Sequence, residues 1–275
     1  RRMTQGHVFI EKLLDRGFAV VQPDYEGIGG PGPHPYLIGR SLARSVIDMA
    51  SAVRSSYPVS NRWISAGHSE GAVAALWAGS TAASDPSAAG FELRGVCAFT
   101  PVTRIDQTIG ASLSLPVVLP GFVVVSALIG LMLSGAQTVD TKLAALLAGD
   151  GLTDRARAVW DHLETRSLNE LCEPDSWGSI APGHVLGSGG AEVRSLLMKS
   201  LRDNDVSRLR FGSGLPIRVD AAIFDEVAPF WFTRQAMIGI HCTGDTRKVA
   251  EQLAAIPAVD YVVLTAGSFD AIAEV

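Results

Sequence analysis

The chain has 275 residues, 47% of them hydrophobic, and a net charge of −5. That length can bury a large core without staples. Its singly scattered lysines and arginines leave no electrostatic footprint for a nucleic acid or an anionic membrane. Cys97, Cys172 and Cys242 form no C-x-x-C or Cys/His cluster, so no metal site is read from them. Cys97 falls in an apolar strand as an inert thiol, and a Cys172–Cys242 disulfide is left open. Arg1-Arg2-Met3-Thr4 carries no apolar signal-peptide core. The first element already leads into a central strand, so the expectation is that earlier strands of the sheet are absent from this stretch.

From Thr4 to Arg16, Val8, Phe9, Leu13 and Leu14 recur at helical spacing, and Gly17 supplies a stop. Phe18-Ala19-Val20-Val21 is a continuous apolar run, the pattern of a strand buried on both faces. It opens into the turn-rich loop Pro23 to Pro31, at the end of a strand where ligand crevices form. Leu37 to Val53 carries Ile38, Leu42, Val46, Met49 and Val53 on one stripe, a helix packed on the sheet. Arg62 to Ala66 reads as a strand, Ala72 to Ala82 as a helix and Leu93 to Phe99 as another buried strand. These alternations imply an α/β layer architecture with a mostly parallel sheet.

The rhythm breaks between residues 102 and 215, which read as a helical cap inserted into a core of residues 1–101 and 216–275. The most apolar stretch of the protein, Leu115 to Leu133, lies there. Pro116, Pro120 and Gly121 interrupt it, leaving Phe122 to Leu133 as a buried or lid-like helix rather than a membrane span. Thr141–Ala148, Thr153–Ser167 and Ala191–Asn204 read as further helices. Strand, helix, helix and strand are then expected at Ile217–Ile223, Phe230–Ile240, Thr246–Ile256 and Tyr261–Leu264. A loop and the start of a helix follow at 265–272.

Chemistry concentrates at Gly67-His68-Ser69-Glu70-Gly71, which fits the G-x-S-x-G nucleophile elbow. The spacing alone is weak evidence, but a β-prone segment precedes it and a helix-favouring one follows. A side chain at either glycine is expected to collide where the turn is tightest. Ser69 is therefore the candidate nucleophile. Asp225, just past a late strand, stands where a Ser, Asp, His chain order places the acid, with Glu226 as fallback.

Pro23-Asp24-Tyr25-Glu26-Gly27-Ile28-Gly29, His34-Pro35-Tyr36-Leu37, the Ser69 elbow and Asp225-Glu226-Val227-Ala228-Pro229 together resemble the secretory lipases. That α/β-hydrolase family includes fungal lipase A and actinobacterial relatives. The resemblance implies the α/β-hydrolase fold with a helical cap, hydrolysis of triacylglycerols or shorter esters, no cofactor, transient contact with a lipid interface, and export from the cell. It places the nucleophile at Ser69, the acid at Asp225 and one oxyanion donor at the Glu70 N–H. The family's histidine follows the last strand, where this chain reads Gly267-Ser268-Phe269, so Ser268 occupies the expected histidine position. Of the other histidines, His34 lies in the crevice loop. His68 is expected to point away from the nucleophile, His241 to sit at a helix end, and His7, His162 and His184 lack a motif.

Three functions are carried forward. One is a serine ester hydrolase, lacking a visible general base. The second is a non-catalytic protein that binds acyl or other hydrophobic ligands on the same scaffold. The third keeps the fold and changes the substrate, to peptide or acyl transfer.

Overall fold

A computed structural model describes residues 7–118, 123–220, 237–240, 261–264 and 271–274. Helix α1 (His7–Leu14) forms where the apolar spacing predicts it. The next segment departs from expectation. Phe18 to Val21 belongs to no described strand, and Phe18 and Val21 are 45% and 42% exposed. Strand β1 (Arg62–His68) pairs only with β2 (Glu92–Phe99) among the described residues, and its Ile64 is 47% exposed. Strand propensity without a neighbouring strand gives neither a ladder nor burial.

The central sheet is parallel, in the order β1-β2-β3, with β3 spanning Ile217–Asp220. In its register His68 pairs with Phe99 and Phe99 with Asp220, so three carboxyl ends lie side by side. Helices α2 (Gly39–Ser56) and α3 (Glu70–Thr81) pack together on this sheet. Ala72, Ala75 and Leu76 of α3 meet Val96 and Ala98, while Ala43 and Ile47 of α2 pack with Ala78 beside Trp63. Small residues along α3 let it lie close to the strands, which holds its amino end firmly against their carboxyl ends.

Between β2 and β3 the chain is helical: α4 (Ile105–Ser112), α5 (Val124–Gln137), α6 (Thr141–Ala148), α7 (Asp154–Ala158), α8 (His162–Thr165), α9 (Leu168–Leu171) and α10 (Gly190–Asp203). The single helix expected at 153–167 is divided into α7 and α8, with Trp160 in the break packed against the fully buried Trp177. Two short helices, α4 and α9, carry too few periodic residues to be visible in the sequence. Cys172 is a free thiol, and Cys242 lies outside the described residues.

Helix α5 resolves the apolar stretch as a buried element. No described helix is long and apolar enough to cross a membrane. Its Leu128, Ile129, Met132 and Leu133 share one hydrophobic cluster with Leu37, Leu42 and Val73. The helices between β2 and β3 therefore pack against the loop and helix that flank Ser69. Leu133 is fully buried there. Leu133→Ala is expected to cost about 3 kcal/mol, read from the midpoint of urea unfolding, because the surroundings refill such a cavity only partly.

The last strands also depart from expectation. β4 (Met237–Ile240), β5 (Tyr261–Leu264) and β6 (Ala271–Glu274) form a separate antiparallel sheet in the order β4-β6-β5. The end of the helix expected at 230–240 and the helix start expected at 271–272 are thus strands. Gly239 and the flanking isoleucines disfavour helix, and cross-strand pairing decides between weak local preferences. Tyr261–Leu264 is a strand as expected, and it pairs antiparallel with β6. The helix expected at 246–256 lies outside the described residues.

Candidate active site

Ser69 caps the amino end of α3 at φ 54° and ψ −118°, a conformation that side-chain-bearing residues seldom adopt. Its N–H donates to the Phe99 carbonyl at 2.9 Å, and its own carbonyl accepts from the Ala72 and Val73 N–H groups. The strained residue is thereby tied to the neighbouring strand on one side and to the first turn of α3 on the other. This is the strand-to-helix elbow that the glycine spacing predicts.

The two glycines contribute unequally. A Cβ on Gly67 would stand 2.0 Å from the Gly71 carbonyl oxygen, so only glycine fits. A Cβ on Gly71 would meet nothing closer than the Tyr25 hydroxyl, at 3.7 Å. The collision expected at both positions therefore exists at Gly67 alone.

Backbone strain gathers around this point. Leu37, Ser69, Thr100 and Arg104 are the described non-glycine residues with positive φ. Ser69 and Thr100 follow directly on β1 and β2, and Thr100 donates its N–H to the Asp220 carbonyl at 2.6 Å. Leu37 and Arg104 line a small hollow walled by Val73, Val102, Ile105 and Leu201. Such clustering of sparsely populated conformations is characteristic of functional sites.

Next to Ser69, the Glu70 side chain turns toward the loop that precedes α2. His34 Nε2 lies 2.8 Å from Glu70 Oε1, and His34 Nδ1 lies 2.9 Å from the Glu26 carbonyl. The Leu37 N–H approaches the same Glu70 oxygen at 3.5 Å. The Tyr25 ring stacks on the imidazole at 5.7 Å between centroids, and Tyr36 meets its edge at 6.0 Å. Burial is the largest influence on His34 and acts to lower its pKa. The hydrogen bond and charge of Glu70, together with Glu26, outweigh it and leave the pKa above the ordinary histidine value. Burial first, and then the charge of Glu70, pushes the Tyr25 hydroxyl up to about 12, so it stays protonated at neutral pH. The same influences raise Tyr36.

The structure thus brings together Ser69, Glu70 and His34. Sequence reasoning left His34 as a remote candidate and did not single out Tyr25 or Tyr36. The only signal was aromatic residues flanking a histidine in a crevice loop. With both ring nitrogens engaged, His34 is not placed to take the Ser69 proton. His68 is exposed, His162 bonds the Ser176 hydroxyl at 2.9 Å, and His184 is exposed. No described histidine is hydrogen-bonded to Ser69. Asp225 and its fallback Glu226, like Ser268 and His241, lie outside the described residues. Asp225 follows β3 by five positions, whereas Ser268 falls between the antiparallel strands β5 and β6. Among the described residues no cluster of His, Cys, Asp or Glu could hold a metal.

Comparison with known proteins agrees with this geometry. The Secretory lipase family profile matches residues 3–253. No curated protein matches the chain. Among solved structures, the rice cell wall degrading esterase LipA from Xanthomonas oryzae is 17% identical with a TM-score of 0.56, covering 74% of this chain and 55% of that one. Candida antarctica lipase A is also 17% identical, with a TM-score of 0.58, covering 82% of this chain and 51% of that one. The chain spans about half the length of these two structures. Their likeness shows the fold, that of the α/β-hydrolases.

Proposed function

Because the chain belongs to the secretory lipase family, we propose that it is a serine hydrolase of carboxylic esters, acting on acylglycerols or shorter acyl esters through an acyl-enzyme on Ser69. The observation that carries this reading is the strained Ser69 backbone at the amino end of α3, tied to β2 through the Phe99 carbonyl. In that role the Ser69 hydroxyl attacks the ester carbonyl. The free N–H groups at the start of α3, Glu70 first among them, face the charge that develops on the carbonyl oxygen. Residues 102–215 act as the cap over this site. Asp225 is the acid that orients a base, in keeping with its place after β3. Family membership supports an extracellular site of action and transient contact with a lipid surface.

Ser268 holds the position where the family resemblance places a histidine, and a hydroxyl cannot serve as a base near neutral pH. Acylation in this chain then depends on the oxyanion donors and on binding, which alone retain only a small part of full catalysis. A second reading rests on the same observation, that no described histidine is bonded to Ser69. The chain would then bind acyl groups without turnover.

The test follows release of p-nitrophenol from acetate and butyrate esters, together with covalent labelling of Ser69 by a fluorophosphonate. Both are measured in the unaltered chain and in Ser268→His. Slow acylation at Ser69, faster in Ser268→His, supports the hydrolase. Tight binding of a fatty acid with neither labelling nor turnover in either form supports the binding protein and overturns the hydrolase.

A further inference from the structure

Glu70 is the first residue of α3, so its N–H lies among the amino-terminal groups that no intrahelical bond restrains. The direction of that N–H depends on how Ser69 and Glu70 are held. Ser69 is held by its ties to Phe99 and to the first turn. Glu70 is held through its side chain, which reaches across 36 residues of sequence to the loop between Tyr25 and Ile38.

His34 sits between two groups that can only accept hydrogen bonds, the Glu26 carbonyl and the ionised Glu70 carboxylate. Both contacts form together only when both ring nitrogens carry hydrogen. The site is largely shielded, since the His34 and Glu70 side chains are 15% and 19% exposed. The groups facing the imidazole are Glu70, Glu26, Tyr25 and Tyr36. Both tyrosines are neutral, and the Glu26 carboxylate is itself engaged by the Ser41 hydroxyl at 2.6 Å.

We propose that His34, as an imidazolium bridging the Glu26 carbonyl and the Glu70 carboxylate, is a positioning residue that fixes the Glu70 N–H beside the nucleophile. The role rests on Ser69 being the nucleophile, as argued above. Loss of the proton leaves one ring nitrogen with a lone pair facing an acceptor, so the bridge between Glu26 and Glu70 opens at one end. Because the pKa of His34 is raised in the folded protein, the bridge is complete below the ordinary histidine value. It is lost as pH rises through the raised one.

Glu70→Gln separates this role from a merely structural one. Its amide can donate to an unprotonated Nε2, so its bridge needs no proton. The rate of fluorophosphonate labelling at Ser69 is measured for both forms, from about one unit below to about two units above the ordinary value of ~6.5. Taking the ratio of wild type to Glu70→Gln cancels any titration the two share. The ratio is expected to fall about tenfold as pH rises, the scale of a misdirected oxyanion donor rather than of its complete loss. A flat ratio overturns the proposal.

The imidazole titration of His34, followed by NMR in the same two proteins, needs no activity. It is expected above the ordinary value in wild type and lower in Glu70→Gln. Identical titrations overturn the bridge even if Ser69 labels. A bridge intact by NMR with no labelling in either form overturns the nucleophile reading, and with it the positioning role.

Discussion

Ser69→Ala is expected to lower fluorophosphonate labelling and any ester turnover by about a thousandfold or more, since removing the attacking oxygen removes the acyl-enzyme route itself. The same position has a second, opposite signature in stability. Ser69 is held at φ 54°, and a side chain in a sparsely populated conformation costs on the order of 1–3 kcal/mol. Ser69→Gly relieves that strain, offset in part by the ~1 kcal/mol of extra backbone entropy that glycine loses on folding. Ser69→Gly is therefore expected to unfold at higher urea than Ser69→Ala, by about 1 kcal/mol. The order is the reverse of that in a helix interior, where glycine is about 1 kcal/mol worse than alanine. Labelling that survives in Ser69→Ala would remove Ser69 from the mechanism.

Gly67→Ala is expected to have the largest effect on stability in this region, about 3 kcal/mol or more, because the clash is with backbone and cannot be relieved by a rotamer change. The added methyl would stand 2.0 Å from the Gly71 carbonyl oxygen and 2.9 Å from the Ala72 nitrogen. Relief requires moving the start of α3 away from β1, and that movement displaces Ser69 and the Glu70 N–H together. Labelling should fall with stability. Gly71→Ala provides the contrast. Its methyl would reach ordinary contact distance from the Tyr25 hydroxyl, 3.7 Å, and its cost is expected to stay within about 1 kcal/mol. Urea unfolding of the two variants side by side is the measurement. Equal stabilities would mean that β1 and α3 do not approach as described.

Much of the fold was legible because it is written in neighbouring residues. The stripe of Leu42, Val46 and Val53 announces α2, the small residues after Gly71 announce α3, and the prolines before Phe122 confine α5 to its later part. The elbow belongs to the same class. Its glycine, strand and helix are consecutive in the chain, from Arg62 to Thr81, and Gly67 is required by an atom only four residues away. Phe18 to Val21 shows the limit of such reading. Its composition is that of a buried strand, but a strand needs a partner, and composition does not say whether one is there. The antiparallel sheet of β4, β5 and β6 shows the same limit, since Tyr261–Leu264 is a strand by propensity while its pairing with β6 is set by approach in space.

By itself, then, the sequence determined the alternation of strands and helices, the buried character of α5 and the identity of Ser69 as the central residue of a tight turn. These follow from local sterics and periodicity. Only the tertiary structure decided that Gly67 and not Gly71 admits no side chain, that His34 reaches Glu70 across 36 residues, and that four strained residues gather around the strand ends and the hollow beside them. Those depend on atoms brought together by packing. The bond between His34 and Glu70 exists because α5 and α10 press Leu37 and its loop against α3, and no spacing along the chain encodes that pressure.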